Sequence, residues 1–432
     1  VWAETRLAGG KRFAGKIATA PDVTGPYQTL PFAEMMPSHA GGDAVKPRAS
    51  GVVAVLAVPQ AAPALPVPAY ATDTGTALAA AALSDADLTS TAELPLSADK
   101  SGAITLRYDR AVTARSLRVF IPGLKLPFRG VPLRAVLERR DGGDWLAVSN
   151  VALSGVPTTQ SFAPVTAQEF RLRLQDSNDP GSLDVLDAAP GAQTVNFFDV
   201  GPLKSVQVGD LQLFGDEQVD RAAEKAGYET VPDYHAIAAT AGASAGFGSD
   251  AVIDLTGRLK ADGTLDWTPP RGRDWRVLQF GWSLTGKTNH PATPEATGLE
   301  VDKYDGGAVR RYLETYLGKY RAALGDDLIG QRGLRALLTD SIEVGNANWT
   351  LAMEAQFQAR RGYALRPWLP ALAGVVIGSA EETDRFLFDY RQTLAELLAD
   401  QHYGTVATVA REQGLLVYGE APEDKRPMLG GD

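Results

Sequence analysis

The sequence predicts a multidomain chain in which an all-β sandwich precedes a region of β/α units with parallel strands. Three observations carry this: short runs of alternating apolar and polar residues before about residue 270, a longer apolar period after it, and two apolar runs that end in acids at Asp340 and Glu420. With 432 residues and 44% hydrophobic content, the chain can bury cores for about two or three domains.

The β half is read from Ala103–Tyr108, Ser116–Ile121, Leu133–Glu138, Glu169–Leu174 and Val206–Leu213. Each alternates with period two and is bounded by Gly, Pro, Asp or Asn, the pattern of antiparallel strands buried on one face. Asp141-Gly142 sits between two of them, and Asp-Gly suits the positive φ of a hairpin turn. Residues 57–71 are rich in Pro and Ala without periodicity and are expected to connect an N-terminal β segment to the sandwich. Gly242-Ala243-Ser244-Ala245-Gly246 is expected to be a linker.

After about residue 270, Trp275–Trp282 is expected as a strand, followed by a helix whose Val309, Tyr312, Leu313, Tyr316, Leu317 and Tyr320 are expected to be core. Leu334–Leu338 follows as a strand, then a helix from about Thr350, a long helix from about Thr383 to Gln413, and the strand Leu415–Tyr418. In the long helix Leu387, Tyr390, Leu394, Leu397, Leu398, Val406 and Val409 form the buried stripe. This order gives parallel strands, too few to close an eight-stranded barrel. Either the sheet is open or the chain is a fragment, and a start at Val1 without Met is expected of the interior of a longer polypeptide.

Composition excludes several functions. A net charge of -10 without a Lys/Arg-rich run argues against nucleic acid, and no run approaches the roughly 18 to 20 apolar residues of a membrane helix. With no Cys, disulfides, zinc thiolates and a Cys nucleophile are absent. His39, His235, His290 and His402 lie far apart and form no His-x-x-x-His pair. No Gly-x-Ser-x-Gly elbow, phosphate loop or dinucleotide fingerprint occurs where strand meets helix.

Three polar constellations remain. Asp340 and Glu343 follow a buried strand just before a helix, the way barrel enzymes present catalytic carboxylates, although Asp-x-x-Glu also has the spacing of a capping box. Glu420 follows the second strand. Two strand ends carrying acids suit glycoside hydrolysis, where one carboxyl group protonates the leaving oxygen and another activates water or attacks. The third is Gly286–Lys303, whose Lys287, Asn289, His290 and Asp302 could hold sugar hydroxyls, or form a polar surface loop. Trp349 could support the apolar face of a sugar, or pack in the core.

Together these motifs resemble glycoside hydrolase family 106, the α-L-rhamnosidases. The resemblance rests on Val1–Thr5 with Gly9-Gly10 and Phe13, Asp254-Leu255-Thr256, Leu265-Asp266-Trp267, Gly286–Lys303, Asp340–Glu343 and Asn348-Trp349-Thr350. It continues in Arg361-Gly362-Tyr363, Leu369-Pro370, Gly374-Val375-Val376, Arg385–Arg391 and Gly414-Leu415. It implies part of a (β/α)8 TIM-barrel catalytic domain over 271–432, after a β segment and connector (1–70), a jelly-roll-like sandwich (71–230) and a β linker region (231–270). It also implies an inverting mechanism on terminal α-L-rhamnose of a glycan or glycoside, calcium at the sugar site, and export to the periplasm or beyond. Carried over by position, Glu343 is the candidate general acid and Glu420 its partner, unless the second catalytic acid lies beyond Asp432. Asp340, Lys287, Asn289, His290, Asp302 and Trp349 become substrate-binding candidates, and Glu300, Asn346 and Asn348 calcium-ligand candidates. The alternative is a non-catalytic carbohydrate-binding protein or an inactive fragment of such an enzyme.

Overall fold

The computed structural model describes residues 1–20, 50–85, 87–124, 131–176, 203–229, 237, 246–289, 292–339, 342 and 347–419. In chain order the first elements are β1 (Trp2–Leu7), β2 (Phe13–Lys16) and β3 (Ser50–Pro59). The sandwich follows with β4 (Ala69–Thr72), β5 (Ala77–Leu78), the single turn α1 (Ala81–Ser84), β6 (Ala92–Pro95), β7 (Ser101–Phe120) and β8 (Leu133–Asp141). It is completed by β9 (Asp144–Val151), β10 (Thr158–Asp176), β11 (Ser205–Val208) and β12 (Asp210–Phe214). The short α2 (Ala222–Lys225) leads to β13 (Ile253–Asp254), β14 (Thr264–Trp267) and β15 (Trp275–Ser283). Last come α3 (Gly306–Leu324), β16 (Ala336–Thr339), α4 (Met353–Arg361), α5 (Ala380–Leu397), α6 (Gly404–Glu412) and β17 (Leu416–Gly419).

The sandwich is built on β7 and β10, long antiparallel partners whose alternation is interrupted by register shifts between Ser161 and Val165 and between Ala167 and Glu169. Such bulges bend a strand pair, so one half of β7 takes β4 as its second neighbour and the other half takes β12. The β6–β11 ribbon closes the core from the other side, its Ala92, Leu94, Val206 and Val208 packing with Ile104, Leu106, Phe170 and Leu172. The Asp-Gly turn forms as expected: Asp141 pairs with Asp144, and Gly142 takes φ 57°.

The connector expected over 57–71 is narrower, 60–68, because β3 of the next sheet runs to Pro59 and β4 of the sandwich starts at Ala69. One expectation fails: β15 is not a parallel barrel strand. It pairs antiparallel with β1 on one side and β3 on the other, in a four-stranded sheet ordered β1-β15-β3-β13. The reason is two-sided burial: Leu278 and Phe280 enter the core shared with α4 and α5, while Trp275 and Val277 enter a second core with Leu265 and Trp267 of β14. A strand covered on both faces reads as continuously apolar whichever way its neighbours run. Across the sheet, burial would raise the Glu4 carboxyl, but Arg276 and Arg6 outweigh it and hold its pKa at about 2.

The β/α expectation holds for the remainder. β16 and β17 pair in parallel, Ala336 opposite Leu416 and Thr339 opposite Gly419. Among the described residues they form the one named parallel strand pair, and a closed barrel is not seen. The α3 helix, N-capped by Asp305 through the Gly307 and Ala308 N–H groups, buries Val309, Leu313 and Leu317 against Leu337, Val409 and Leu415. Its Tyr312, Tyr316 and Tyr320 are not core: they are 53%, 42% and 36% exposed and stack along the outer face. Apolar period alone does not say which flank of a helix is covered. The long helix predicted from Thr383 runs as α5, a π-turn over Leu398–Tyr403, and α6, with its predicted stripe buried throughout.

Candidate active site

The register of β16 and β17 brings their C-terminal ends to the same sheet edge, with Thr339 opposite Gly419. The chain positions immediately after them are 340 and 420. Asp340, Glu343, Asn346, Glu420 and His290 lie outside the described residues; the described part is the loop after β15 and the segment 347–350.

After β15 the chain forms a self-braced loop. Thr288 bridges Leu299, the Glu300 N–H donates to the Lys287 carbonyl (2.9 Å), and the Asn289 N–H donates to the Gly298 carbonyl (3.0 Å). Both side-chain ends of Asn289 are engaged inside this loop: its Oδ1 accepts from the Gly298 N–H (2.7 Å) and its Nδ2 donates to the Ala296 carbonyl (3.1 Å). Asn289 thus works as a brace. Glu300 is ion-paired with the Lys303 ammonium three residues on. Lys287 is partly exposed beside them.

At the end of this loop Asp302 meets the segment that follows β16. Its Oδ2 accepts from the Thr350 hydroxyl (2.8 Å), and its Oδ1 accepts from the Tyr304 N–H (2.9 Å). Its side chain still reaches solvent, yet the surrounding protein is dense enough for burial to raise its pKa above the usual carboxylate range, against the pull of the Thr350 and Tyr304 bonds. A carboxyl group that is accessible but poorly hydrated is suited to meeting a polar ligand.

The 347–350 segment is held from below. The Tyr304 hydroxyl donates to the Ala347 carbonyl (2.8 Å), the Asn348 Nδ2 donates to the Ala226 carbonyl (2.8 Å), and the Tyr390 hydroxyl donates to the Asn348 carbonyl. Trp349 is partly buried and packs against the core of α4 and α5. Thr350 and the two tyrosines went unassigned from sequence. Thr350 has no local sequence pattern that marks its partner, and Tyr390 reads only as a member of a helical stripe.

For a hard divalent cation, which wants six to eight oxygens, the described residues do not form a cage by themselves. They contain no cluster of three or more His, Asp or Glu placed to hold an ion, Glu300 faces Lys303, and Asn348 points its amide N–H at Ala226.

Comparison with known proteins matches the chain to a class of carbohydrate-processing enzymes. The alpha-L-rhamnosidase family model of glycoside hydrolase family 106 matches residues 1–432, and the chain belongs to that family. A rhamnosidase from Novosphingobium sp. PP1Y is similar in structure at 49% identity and a TM-score of 0.82, over 99% of this chain and 37% of its own. A Formosa agariphila protein named as a candidate beta-glucuronidase is 42% identical over 164 residues, 38% of this chain and 14% of its own. The chain therefore spans well under half the length of either relative.

Proposed function

We propose that the protein is a glycoside hydrolase that removes terminal α-L-rhamnose from glycans or glycosides with inversion, on a (β/α)8 barrel to which β16 and β17 contribute neighbouring strands. The observation that carries this reading is the parallel register of those strands, which brings two strand ends, each followed in sequence by an acid, to one edge, in a chain matched throughout by the rhamnosidase family. Glu343 acts as general acid on the glycosidic oxygen. A second carboxylate, Glu420 or one further along the polypeptide, draws a proton from water on the opposite face of the sugar, at the roughly 6.5 to 9.5 Å separation that leaves room for that water. Asp302, Lys287 and Trp349 line the sugar side. Calcium, when bound, would supply a hard cation for sugar hydroxyls, with Asn346 as an oxygen-bearing candidate read from the sequence. Export to the periplasm or beyond is part of the same family-based reading.

The test is hydrolysis of an aryl α-L-rhamnoside by the full-length protein, with the anomer of the first-formed sugar followed by NMR. Glu343→Gln is expected to lower kcat by about 10²–10⁴-fold, the range for losing a general acid. A wild-type protein without activity, or a variant at full rate, removes the assignment. Activity indifferent to a chelator removes the calcium requirement, and a retained anomer removes inversion.

A further inference from the structure

Asn348 sits where two parts of the chain meet. On one side is a strap, residues 218–229, that leaves the sandwich after β12. It is stitched to β10: Ser161 N–H donates to Asp220 Oδ1 (2.5 Å), Ser161 Oγ donates to the Gln218 carbonyl (2.6 Å), and Arg221 N–H donates to the Thr159 carbonyl (2.8 Å). Further along, Glu229 Oε2 accepts from the Gly155 N–H (2.9 Å). On the other side is the 347–350 segment, whose Thr350 hydroxyl binds Asp302.

The strap reaches Asn348 through closely fitted contacts. Ala226 is fully buried and offers its carbonyl to Asn348 Nδ2. Gly227 takes φ 79°, and a Cβ there would stand 3.2 Å from Asn348 Cβ and 3.3 Å from Leu394. Arg391 of α5 donates from Nη1 to the Lys225 carbonyl (2.5 Å), and the adjacent Tyr390 donates its hydroxyl to the Asn348 carbonyl. Both ends of Asn348, amide and carbonyl, are therefore fixed by groups that are themselves buried. Tyr390 is 1% exposed, and burial raises its pKa well above the usual tyrosine value, so it remains a donor.

We propose that Asn348 and Tyr390 are positioning residues: they lock the Trp349–Thr350–Asp302 wall to the strap of the β-sandwich, so that the sandwich sets the geometry in which the sugar is bound. The inference rests on the rhamnosidase reading above. A hydroxyl bound to a main-chain carbonyl, and an amide bound to another, fix the backbone on both sides of Trp349 without touching the substrate. Loss of either lets Trp349 and Thr350 move relative to Asp302, and ground-state binding of the sugar weakens before the chemistry does.

The experiment uses the full-length protein and an aryl α-L-rhamnoside, with Tyr390→Phe and Asn348→Asp as near-isosteric variants. Asn348→Asp replaces the donor facing Ala226 with an acceptor. Tyr363→Phe serves as a control, since Tyr363 packs against the same core and its hydroxyl donates to Asp389 rather than to the 347–350 segment. Tyr390→Phe and Asn348→Asp are expected to raise KM about five- to twentyfold with kcat within about threefold, while Tyr363→Phe lowers Tm and leaves KM unchanged. In an Asp302→Asn background the KM effect of Tyr390→Phe should shrink below about twofold, because both act through one wall. An active wild-type enzyme in which Tyr390→Phe and Tyr363→Phe behave alike, losing Tm with KM intact, overturns the inference. A wild-type enzyme inactive on every α-L-rhamnoside instead removes the rhamnosidase reading, and the sugar wall with it.

Discussion

Asp302 carries two opposed influences. Burial disfavours its ionised form, and the Thr350 hydroxyl and Tyr304 N–H favour it; burial is the larger. The sign of the stability effect follows. An acid whose pKa is raised in the fold keeps its proton at a pH where the unfolded chain has released it, so a deficit opens as pH rises from the ordinary carboxylate range through the raised value. Asp302→Asn is neutral at every pH and can serve both partners, accepting from Tyr304 N–H and donating to Thr350 Oγ1. The variant should therefore gain stability relative to wild type at pH 7 compared with pH 4, by ~0.5 kcal/mol or less because the side chain reaches solvent. Thermal melts at the two pH values check it; a variant that loses ground as pH rises would show the ionised form to be the favoured one. The sequence marked Asp302 through the density of polar residues around it. It could not mark Thr350 as its partner, because a bond spanning 48 positions depends on how two loops meet and leaves no local pattern.

At the scale of elements, period and burial part company in α3 and agree in α5. Both stripes look alike in sequence, yet Leu387 is fully buried against a continuous core and Tyr316 is 42% exposed. Leu387→Ala should cost about 2–5 kcal/mol, the sum of lost transfer energy and a cavity in a packed region. Tyr316→Ala should cost within about 0.5 kcal/mol, as a surface change with Tyr312 stacked on one side and Tyr320 edge-on at the other. Urea denaturation of the two variants separates them, and equal losses would mean that the outer face of α3 is covered. The same limit explains β15: its apolar run correctly indicated a buried strand, but direction is fixed by β1 and β3, which lie far away in sequence. Helices α3, α5 and α6, the β8–β9 turn and the β16–β17 pair were legible because capping, turn chemistry and apolar stripes are local.

Over the whole molecule, apolar surface is unevenly covered. The sandwich and the four-stranded sheet close their cores, whereas the β16–β17 pair leaves Leu338 69%, Leu416 72% and Tyr418 62% exposed, and the outer face of α3 exposes Tyr312, Tyr316 and Tyr320. Parallel strands are ordinarily buried on both faces, and an apolar sheet with open edges invites association. The chain covers 37% of the similar rhamnosidase, and a polypeptide of that length would have residues with which to cover these strands. It follows that the 432-residue chain expressed alone should self-associate and enhance the fluorescence of a hydrophobic dye, while the full-length protein should do neither at the same concentration. Leu338→Lys with Leu416→Lys should raise the monomer fraction of the 432-residue chain, because charge on a bare apolar face opposes pairing. In the full-length protein the same pair should lower stability by several kcal/mol, since each lysine would then be buried without a partner. Light scattering and denaturation read the two arms. Opposite signs in the two proteins are the expected result; a double variant harmless in the full-length protein would mean that these strand faces stay open to solvent there as well.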